Sequence, residues 1–279
     1  MKHGGVKSEQ TNRALLTGPL LLLLAGLLIP AFPCRGQEVK SIQTRPGVTL
    51  RFLFHQPETA AKGVMVMFPG GEGAQMFQEV GGQIVLGKNF LVRTSPEFLK
   101  KGFAVAIVDV PSDKASGMSP GFRNSPQHVL DIGRLVDFLG GQGMGPLFLV
   151  GTSMGTLSVA YLGTQLKDTR VKGLILTATV AVPEYVGGLR LGGIGVPVLL
   201  VHHQDDGCRF SPFMDAWQLK NKLSGSPKVD FVRVQGGSPP KSGPCNPLSY
   251  HGFWGMENQV VQVMTDWASG SGIPAQVGP

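Results

Sequence analysis

The chain has 279 residues, of which 42% are hydrophobic and 15% are charged. This composition excludes a disordered protein and a coiled coil, and it allows one full-sized hydrophobic core. The formal net charge is +7, but the basic residues are scattered and only Lys100 and Lys101 are adjacent. Such a distribution differs from a nucleic-acid-binding face or a polybasic membrane patch. We therefore expect one globular domain with no nucleic-acid partner.

The first segment, residues 1–36, has the pattern of a secretory signal peptide. Basic residues precede an apolar run at 19–29, and prolines and small residues follow it. An uncleaved membrane anchor is the alternative, but the run is shorter than the roughly 20 residues that a spanning helix prefers. We expect cleavage near Gly36 and an exported protein, periplasmic or secreted, whose only membrane contact would be an uncleaved leader.

Beyond the leader, apolar runs of strand length alternate with segments of helical period. The predicted strands are 48–55, 63–68, 103–108, 147–150, 173–176, 198–202 and 229–234, and the predicted helices are 96–101, 127–139, 154–166, 212–223 and 257–267. The strand at 48–55 has the character of an edge strand or a hairpin arm. This order predicts an α/β fold with a mostly parallel central sheet and helices on both faces. The domain is expected to span 37–268, because the Gly-, Ser- and Pro-containing tail at 269–279 is predicted to be disordered.

The segment Gly-Thr-Ser-Met-Gly at 151–155 matches the G-x-S-x-G nucleophile elbow. A second match at 117–121 lies in a loop with no strand directly before it, and a proline follows its Ser119, which favours a surface turn. Ser153 instead follows a predicted strand and opens a predicted helix, so its hydroxyl should lie at the carboxyl end of the strand. A serine hydroxyl attacks a carbonyl only when an imidazole takes its proton and a carboxylate orients that imidazole. Ser153 is the predicted nucleophile.

An acid and a base follow the serine in the chain order Ser, Asp, His. Asp205 and Asp206 come just after the predicted strand at 198–202, at the sheet edge where an acid should project, although a solvated turn would also explain them. His251 lies between the last predicted strand and the last predicted helix, where a base is needed. His202, His203 and Cys208 could in principle ligate a metal beside the aspartates, but consecutive strand residues point to opposite faces. We therefore expect no metal and no other cofactor.

Backbone N–H groups near the serine could hold a negatively charged oxygen. The N–H of Met154 follows the nucleophile directly, and the segment Pro-Gly-Gly-Glu-Gly at 69–73 follows the first buried strand. Gly71 or Glu72 would supply the second donor of this oxyanion hole. An ordinary strand-to-loop turn is the alternative.

Two cysteines flank the predicted acid and base. Cys208 lies two positions after Asp206, and Cys245 lies six positions before His251. If acid and base meet above the sheet, the cysteines are carried close enough for a disulfide that braces both loops. Two unpaired buried cysteines are the alternative.

Taken together, these motifs resemble the α/β-hydrolase superfamily over nearly the whole chain, from about residue 48 to residue 267. The His-Gly-Phe segment at 251–253 is similar to that of dienelactone-hydrolase-like enzymes, and the whole resembles small exported bacterial serine hydrolases. Many hydrolases of this fold have a His-Gly pair here, with the acid three residues after the glycine. If His202 corresponds to the histidine and His203 takes the place of the glycine, this spacing selects Asp206, with Asp205 as the alternative acid. The resemblance implies esterase chemistry, although serine stands where dienelactone hydrolases have cysteine, so their particular substrate is not carried over to this chain.

The function implied is cleavage of a small ester or thioester through an acyl-enzyme on Ser153. A segment of about twenty residues between the strands at 173–176 and 198–202 has room for one crossover and no large lid domain. It favours a small open pocket that Val180, Val182 and Tyr185 could line. A non-catalytic binding module on the same fold, or a peptidase or acyltransferase with the same triad, stays open as an alternative.

Overall fold

The computed structural model describes residues 1–5, 36–81 and 83–279. The chain divides into two compact units, 1–33 and 34–279. Of the first unit only residues 1–5 are described, and they form no helix or strand. Most of the predicted signal peptide therefore lies outside the described residues. In the described part of the chain no helix is long and apolar enough to cross a membrane.

The second unit is built on a large central sheet. Its strands are, in chain order, β1 (Glu38–Arg45), β2 (Val48–His55), β3 (Val64–Phe68), β4 (Gln78–Val80), β5 (Gln83–Val85), β6 (Ala104–Pro111), β7 (Leu147–Thr152), β8 (Val171–Thr177), β9 (Val198–His203), β10 (Val229–Val234) and β11 (Gln276–Val277). The central sheet has the strand order β1-β2-β6-β3-β7-β8-β9-β10-β11, and β4 and β5 form a separate hairpin. Strand β2 is antiparallel to both of its neighbours, whereas every other pair in the sheet is parallel.

Helices cover both faces of this sheet. They are α1 (Phe90–Arg93), α2 (Ser95–Lys100), α3 (Pro120–Arg123), α4 (Pro126–Gly141), α5 (Gly155–Gln165), α6 (Pro183–Val186), α7 (Phe213–Leu219) and α8 (Glu257–Ala268). Apolar side chains of α4, α5 and α7 pack in one core layer, and those of α1, α2 and α8 pack in the other. Because both faces are covered, strands such as β3 and β7 are buried at every residue, and their sequences are continuous apolar runs rather than alternating ones.

The predicted α/β class, with a mostly parallel sheet and helices on both faces, is confirmed. Strand β10 coincides with its prediction at 229–234, and the strand at 48–55 is a hairpin arm, paired with β1. The predicted helix at 212–223 is shorter, since α7 is followed by a 3-10 turn at Lys220–Lys222. Strands β1, β4, β5 and β11 and the short helices α1, α3 and α6 were not predicted.

The C-terminal tail differs from its prediction. Residues 269–279 were expected to be disordered, but β11 lies in this segment and adds a parallel strand next to β10. The N–H of Gln235 donates to the carbonyl of Val277 at 2.9 Å, and the side chain of Val277 is buried. The prediction was wrong because it used composition alone. A strand of only two residues can still pair with the open edge of a sheet through its backbone, and composition does not indicate this.

Candidate active site

The turn between β7 and α5 holds Ser153 in a conformation that few side chains adopt. Its φ is +51°, in the left-handed region, and such strain is typical of functional turns. The two glycines of the motif are required by space. A Cβ at Gly151 would lie 2.7 Å from the carbonyl oxygen of Gly155, and a Cβ at Gly155 would overlap the carbonyl of Phe68. The sequence G-x-S-x-G therefore fits a sharp strand-to-helix turn packed against β3.

Asp206 and His251 form a buried hydrogen-bonded pair. The Nδ1 of His251 lies 2.8 Å from Oδ2 of Asp206, and the Asp206 side chain is fully buried. Its carboxylate also accepts the N–H of Cys208 at 2.9 Å and the hydroxyl of Ser211 at 3.0 Å. These donors stabilise a charged carboxylate. Asp205 is exposed and makes no such contact, so the structure brings Asp206, and not the alternative acid, to His251.

The second ring nitrogen of His251 is buried without a partner. Among the described residues no group forms a hydrogen bond with Nε2, and the Oγ of Ser153 is not bonded to it. Because Nδ1 faces the Asp206 carboxylate, a neutral imidazole keeps its proton on Nδ1 and its lone pair on Nε2. A buried nitrogen of this kind is costly unless a partner is supplied. Chemically, Nε2 is able to accept a proton from a hydroxyl brought within reach.

The loop that carries His251 is held in place by its neighbours. Tyr250–Gly252 forms a 3-10 turn whose N-cap, Ser249, accepts the N–H of His251 at 3.2 Å. A Cβ at Gly252 would overlap the carbonyl of Pro247. Phe253 follows with a φ of +56° and is fully buried. The His-Gly-Phe segment therefore combines a tight turn with an aromatic anchor.

Neighbouring strands bring these loops to one edge of the sheet. The N–H of Ser153 donates to the carbonyl of Thr177 at the end of β8, at 3.0 Å, and the N–H of Ala178 donates to Val201 near the end of β9, at 3.1 Å. Asp206 follows β9 directly. Ser153 and Asp206 therefore both lie at the carboxyl edge of the parallel strands, where α/β folds place their ligands.

The predicted oxyanion loop lies against the nucleophile. A Cβ at Gly70 would be 2.9 Å from the Cβ of Ser153, so this approach requires glycine. Gly71 has a φ of +60°. The N–H groups of Met154, Gly71 and Glu72 donate to no described acceptor. None of the three candidate donors is therefore engaged by the described part of the chain.

His202 lies next to Asp206 and contacts the loop that carries it. Its Nε2 is 2.9 Å from the carbonyl oxygen of Ser211 and 3.5 Å from Oδ2 of Asp206, and its Nδ1 accepts the N–H of Thr179 at 3.3 Å. Complete burial lowers the pKa of His202 to about 4, so the ring is neutral near pH 7 and supports the acid loop by hydrogen bonds.

His203 faces different surroundings. Its ring stacks on Tyr250 with centroids 4.6 Å apart, and its Nε2 lies 2.9 Å from the carbonyl oxygen of Gly236. The two consecutive histidines are therefore held by separate groups. Within the described residues no cluster of three or more His, Cys, Asp or Glu side chains could hold a metal ion.

The predicted disulfide between Cys208 and Cys245 is confirmed. The two sulfurs are 2.05 Å apart, and the cysteines are separated by 37 positions in the sequence. Cys208 is buried and Cys245 is exposed. The bond ties the loop of the acid to the segment that precedes the base.

Sequence reasoning missed several residues that contact this site. Ser211 is fully buried, and its Oγ lies 3.1 Å from Nδ1 of His251 in addition to its bond to Asp206. Arg123 is fully buried and donates to the carbonyl of Gly71 at 2.9 Å. The side-chain amide nitrogen of Asn89 lies 3.5 Å from where a Cβ of Gly70 would be. No motif or periodicity marks any of them, and the contacts of Ser211 with His251 and of Arg123 with Gly71 join residues far apart in the chain.

The second G-x-S-x-G match, at 117–121, caps a helix. Ser119 is the N-cap of α3, and its Oγ accepts the N–H of Phe122 at 3.2 Å. The N–H of Met118 donates to the carbonyl of Glu72 at 2.8 Å. This segment thus packs on the predicted oxyanion loop.

The connection from β8 to β9 contains only α6 and a 3-10 turn at Leu191–Gly193, and it forms no lid domain. The pocket residues expected there differ in exposure. Val180 is 1% exposed and lies in the core, so the expectation that it lines a pocket was wrong. Val182 and Tyr185 are partly buried.

Comparisons with known proteins identify the fold. No protein-family model matches the chain, and no curated protein matches it significantly. Among solved structures, Est1E from Butyrivibrio proteoclasticus matches with a TM-score of 0.58 at 14% identity, over 82% of this chain and 97% of that chain. An alpha-beta serine hydrolase homologue from Coxiella burnetii has a TM-score of 0.58 at 19% identity, over 82% and 95%.

A novel cold-adapted esterase from an Arctic intertidal metagenomic library, in its PEG-bound form, also matches, with a TM-score of 0.54 at 17% identity over 81% of this chain and 93% of that chain. At such identities the likeness concerns the fold. The chain has the α/β-hydrolase fold, as the sequence motifs had led us to expect.

Proposed function

We propose that the protein is a serine hydrolase that cleaves a small ester or thioester through an acyl-enzyme on Ser153. The observation that carries the proposal is the buried pair of His251 and Asp206, in which Nε2 of His251 has no hydrogen-bond partner among the described residues. A nucleophile elbow at the same sheet edge supports it, as do structural neighbours that are described as esterases.

In the proposed mechanism, Nε2 of His251 accepts the hydroxyl proton of Ser153 while Oγ attacks the substrate carbonyl. Asp206 holds the imidazole in the tautomer with the proton on Nδ1 and stabilises the imidazolium that forms. The negative oxygen of the tetrahedral intermediate would lie between the N–H of Met154 and that of the loop at 69–73. His251 then gives its proton to the leaving alkoxide or thiolate. A water molecule then attacks the acyl-enzyme while Nε2 of His251 takes its proton, and His251 returns that proton to Oγ of Ser153 as the carboxylic acid leaves.

The substrate class follows from the surroundings of Ser153. No lid domain interrupts the connection between β8 and β9, which favours acyl groups of modest size. Peptidase or acyltransferase activity uses the same triad, and the pocket selects the acceptor. The strained backbone at Ser153 favours a catalytic role over a non-catalytic binding module, because such strain is concentrated at functional sites.

The test compares Ser153→Ala with Ser119→Ala, which removes the serine of the second G-x-S-x-G match. Turnover is measured on p-nitrophenyl esters of increasing acyl length and on matching amides. We expect Ser153→Ala to lose turnover while Ser119→Ala keeps it, and short esters to react faster than amides. Activity that survives in Ser153→Ala would refute the mechanism, and faster turnover of amides would favour a peptidase.

We further propose that the protein acts outside the cytoplasm. The leader sequence supports export, and the disulfide between Cys208 and Cys245 would persist in an oxidising compartment. Cell fractionation followed by N-terminal sequencing tests this. A start near residue 37 in the exported fraction is expected, and an intact N-terminus in the cytoplasm would contradict it.

A further inference from the structure

Arg123 is a buried cation without an anionic partner. Its side chain is fully buried, and among the described residues it forms no ion pair with a carboxylate. Its two terminal nitrogens donate to neutral acceptors, the hydroxyl of Ser158 at 3.0 Å and the carbonyl of Gly71 at 2.9 Å, and its Nε has no partner among the described residues. Burial lowers the pKa of Arg123 to about 10, so the guanidinium still carries its charge near pH 7. Burying an unpaired charge is costly, whereas an apolar side chain of similar length could fill the same space.

The contact with Gly71 orients one peptide group. In a trans peptide the carbonyl and the following N–H point in opposite directions. Because the carbonyl of Gly71 accepts from Arg123, the N–H of Glu72 must point away from the guanidinium. That N–H donates to no described acceptor.

The loop is also fixed on its other sides. The carbonyl of Glu72 accepts the N–H of Met118 at 2.8 Å. Gly70 lies against Ser153, where a Cβ would come within 2.9 Å of the serine Cβ. At Gly73 a Cβ would lie 2.8 Å from a guanidinium nitrogen of Arg123. The peptide held by Arg123 is therefore adjacent to the serine turn and has little freedom to rotate.

We propose that Arg123 is a positioning residue, which fixes and polarises the Gly71–Glu72 peptide so that the N–H of Glu72 is the second oxyanion donor. A cation on the carbonyl withdraws electron density from the peptide and strengthens its N–H as a donor. Preorganised donors of this kind stabilise the charge that develops in acyl transfer. This inference rests on the proposed serine hydrolase function, and it selects Glu72 over Gly71.

The experiment uses the full chain with Arg123→Met, Arg123→Lys and Ser158→Ala. Ser158→Ala removes the other anchor of the guanidinium but leaves the contact with Gly71. The matched control is Thr164→Ala on the same helix, since among the described residues the hydroxyl of Thr164 forms hydrogen bonds only within that helix. Active enzyme is counted by fluorophosphonate titration. For each variant, kcat and KM on p-nitrophenyl acetate and the inhibition constant of a trifluoromethyl ketone, whose serine adduct bears an oxyanion, are measured.

We expect Arg123→Met to lower kcat by roughly 10-fold to 100-fold, less than the loss of a whole oxyanion donor. The inhibition constant of the ketone should rise by a similar factor while KM stays nearly unchanged. Arg123→Lys should show a smaller loss, Ser158→Ala a smaller one still, and Thr164→Ala none. A purely structural role would reduce the active fraction or the melting temperature without changing ketone binding per active site.

Two results would overturn the inference. One is wild-type kcat and ketone binding in folded Arg123→Met. The other applies if that variant does not fold: wild-type kcat and wild-type ketone binding in both Arg123→Lys and Ser158→Ala would then overturn the inference. A wild-type protein that neither turns over esters nor reacts with the fluorophosphonate would instead refute the proposed function, and the role of Arg123 would fall with it.

Discussion

The disulfide between Cys208 and Cys245 allows a quantitative prediction for both stability and activity. Reduction by dithiothreitol breaks the bond into two thiols without substituting any residue, and Cys208→Ala with Cys245→Ala removes it permanently. The bond joins the acid loop to the segment that precedes His251, and the N–H of Cys208 donates to Asp206. Loss of the bond should therefore loosen both loops.

The magnitude follows from the length of chain that the bond closes. A sequence separation of 37 positions corresponds to about 4 kcal/mol of lost loop entropy in the unfolded chain. For a domain of this size, each kcal/mol shifts Tm by roughly 2–4 °C, which gives a decrease of roughly 10 °C. The loss in kcat at 25 °C should stay below about tenfold, because Asp206 keeps its hydrogen bonds to Ser211 and His251.

Differential scanning calorimetry and p-nitrophenyl acetate hydrolysis, each with and without reductant, test this prediction. Reduced wild-type protein and the double alanine variant should agree in Tm and in kcat. Since the double variant keeps only Cys34, in the predicted leader, it has no internal disulfide to reduce, and reductant should not change it further. A reduced protein with the same Tm and kcat as the oxidised one would refute the assignment of a bracing role to the bond.

The remaining predictions concern the acid, the oxyanion loop and a buried histidine. Asp206→Asn should lower kcat by about 10⁴, whereas Asp205→Asn, which changes an exposed side chain, should be nearly neutral; a comparable loss in both would reassign the acid. Gly70→Ala places a Cβ 2.9 Å from the Cβ of Ser153, so kcat should fall while the protein stays folded, and unchanged turnover would contradict the placement of this loop. Burial lowers the pKa of His128 from 6.5 to about 3, so as the pH falls through this window the unfolded chain takes up a proton that the folded chain does not. Stability is then complete above pH 6.5 and is lost on acidification by at most about 1.4 kcal/mol per pH unit; His128→Phe should flatten the dependence of Tm on pH between 6.5 and 4, and an unchanged slope would argue against the assignment.

Much of the sheet could be predicted because its strands are buried on both faces. Strands such as β3 and β7 are buried at every residue and appear in the sequence as compact apolar runs between turn residues. Strand β1 was missed because its sequence, Glu-Val-Lys-Ser-Ile-Gln-Thr-Arg, is largely polar and only partly buried. Strand β11 was missed because two residues carry no periodicity. Pairing at the edges of a sheet depends on backbone hydrogen bonds that any sequence can supply.

The candidate site was predictable where chemistry and chain order coincide. Ser153 follows a strand, and an aspartate and a histidine follow it in the order that the fold requires. The choice of Asp206 over Asp205 agrees with the observed contact to His251. The role of each of these residues in catalysis stays a proposal.

The supporting contacts could not be predicted. Ser211 meets His251 across 40 positions, and Arg123 meets Gly71 across 52 positions. Neither residue belongs to a motif, and a buried arginine in particular contradicts the usual expectation that charges face solvent. Such contacts exist only once the sheet has brought distant loops together.

The most direct test of the central claim is peptide mapping by mass spectrometry after reaction with a fluorophosphonate. The account predicts a single adduct on Ser153 in the wild-type protein and in Ser119→Ala, and little or no adduct in His251→Ala. Labelling of any other residue, or full labelling of Ser153 without His251, would contradict it.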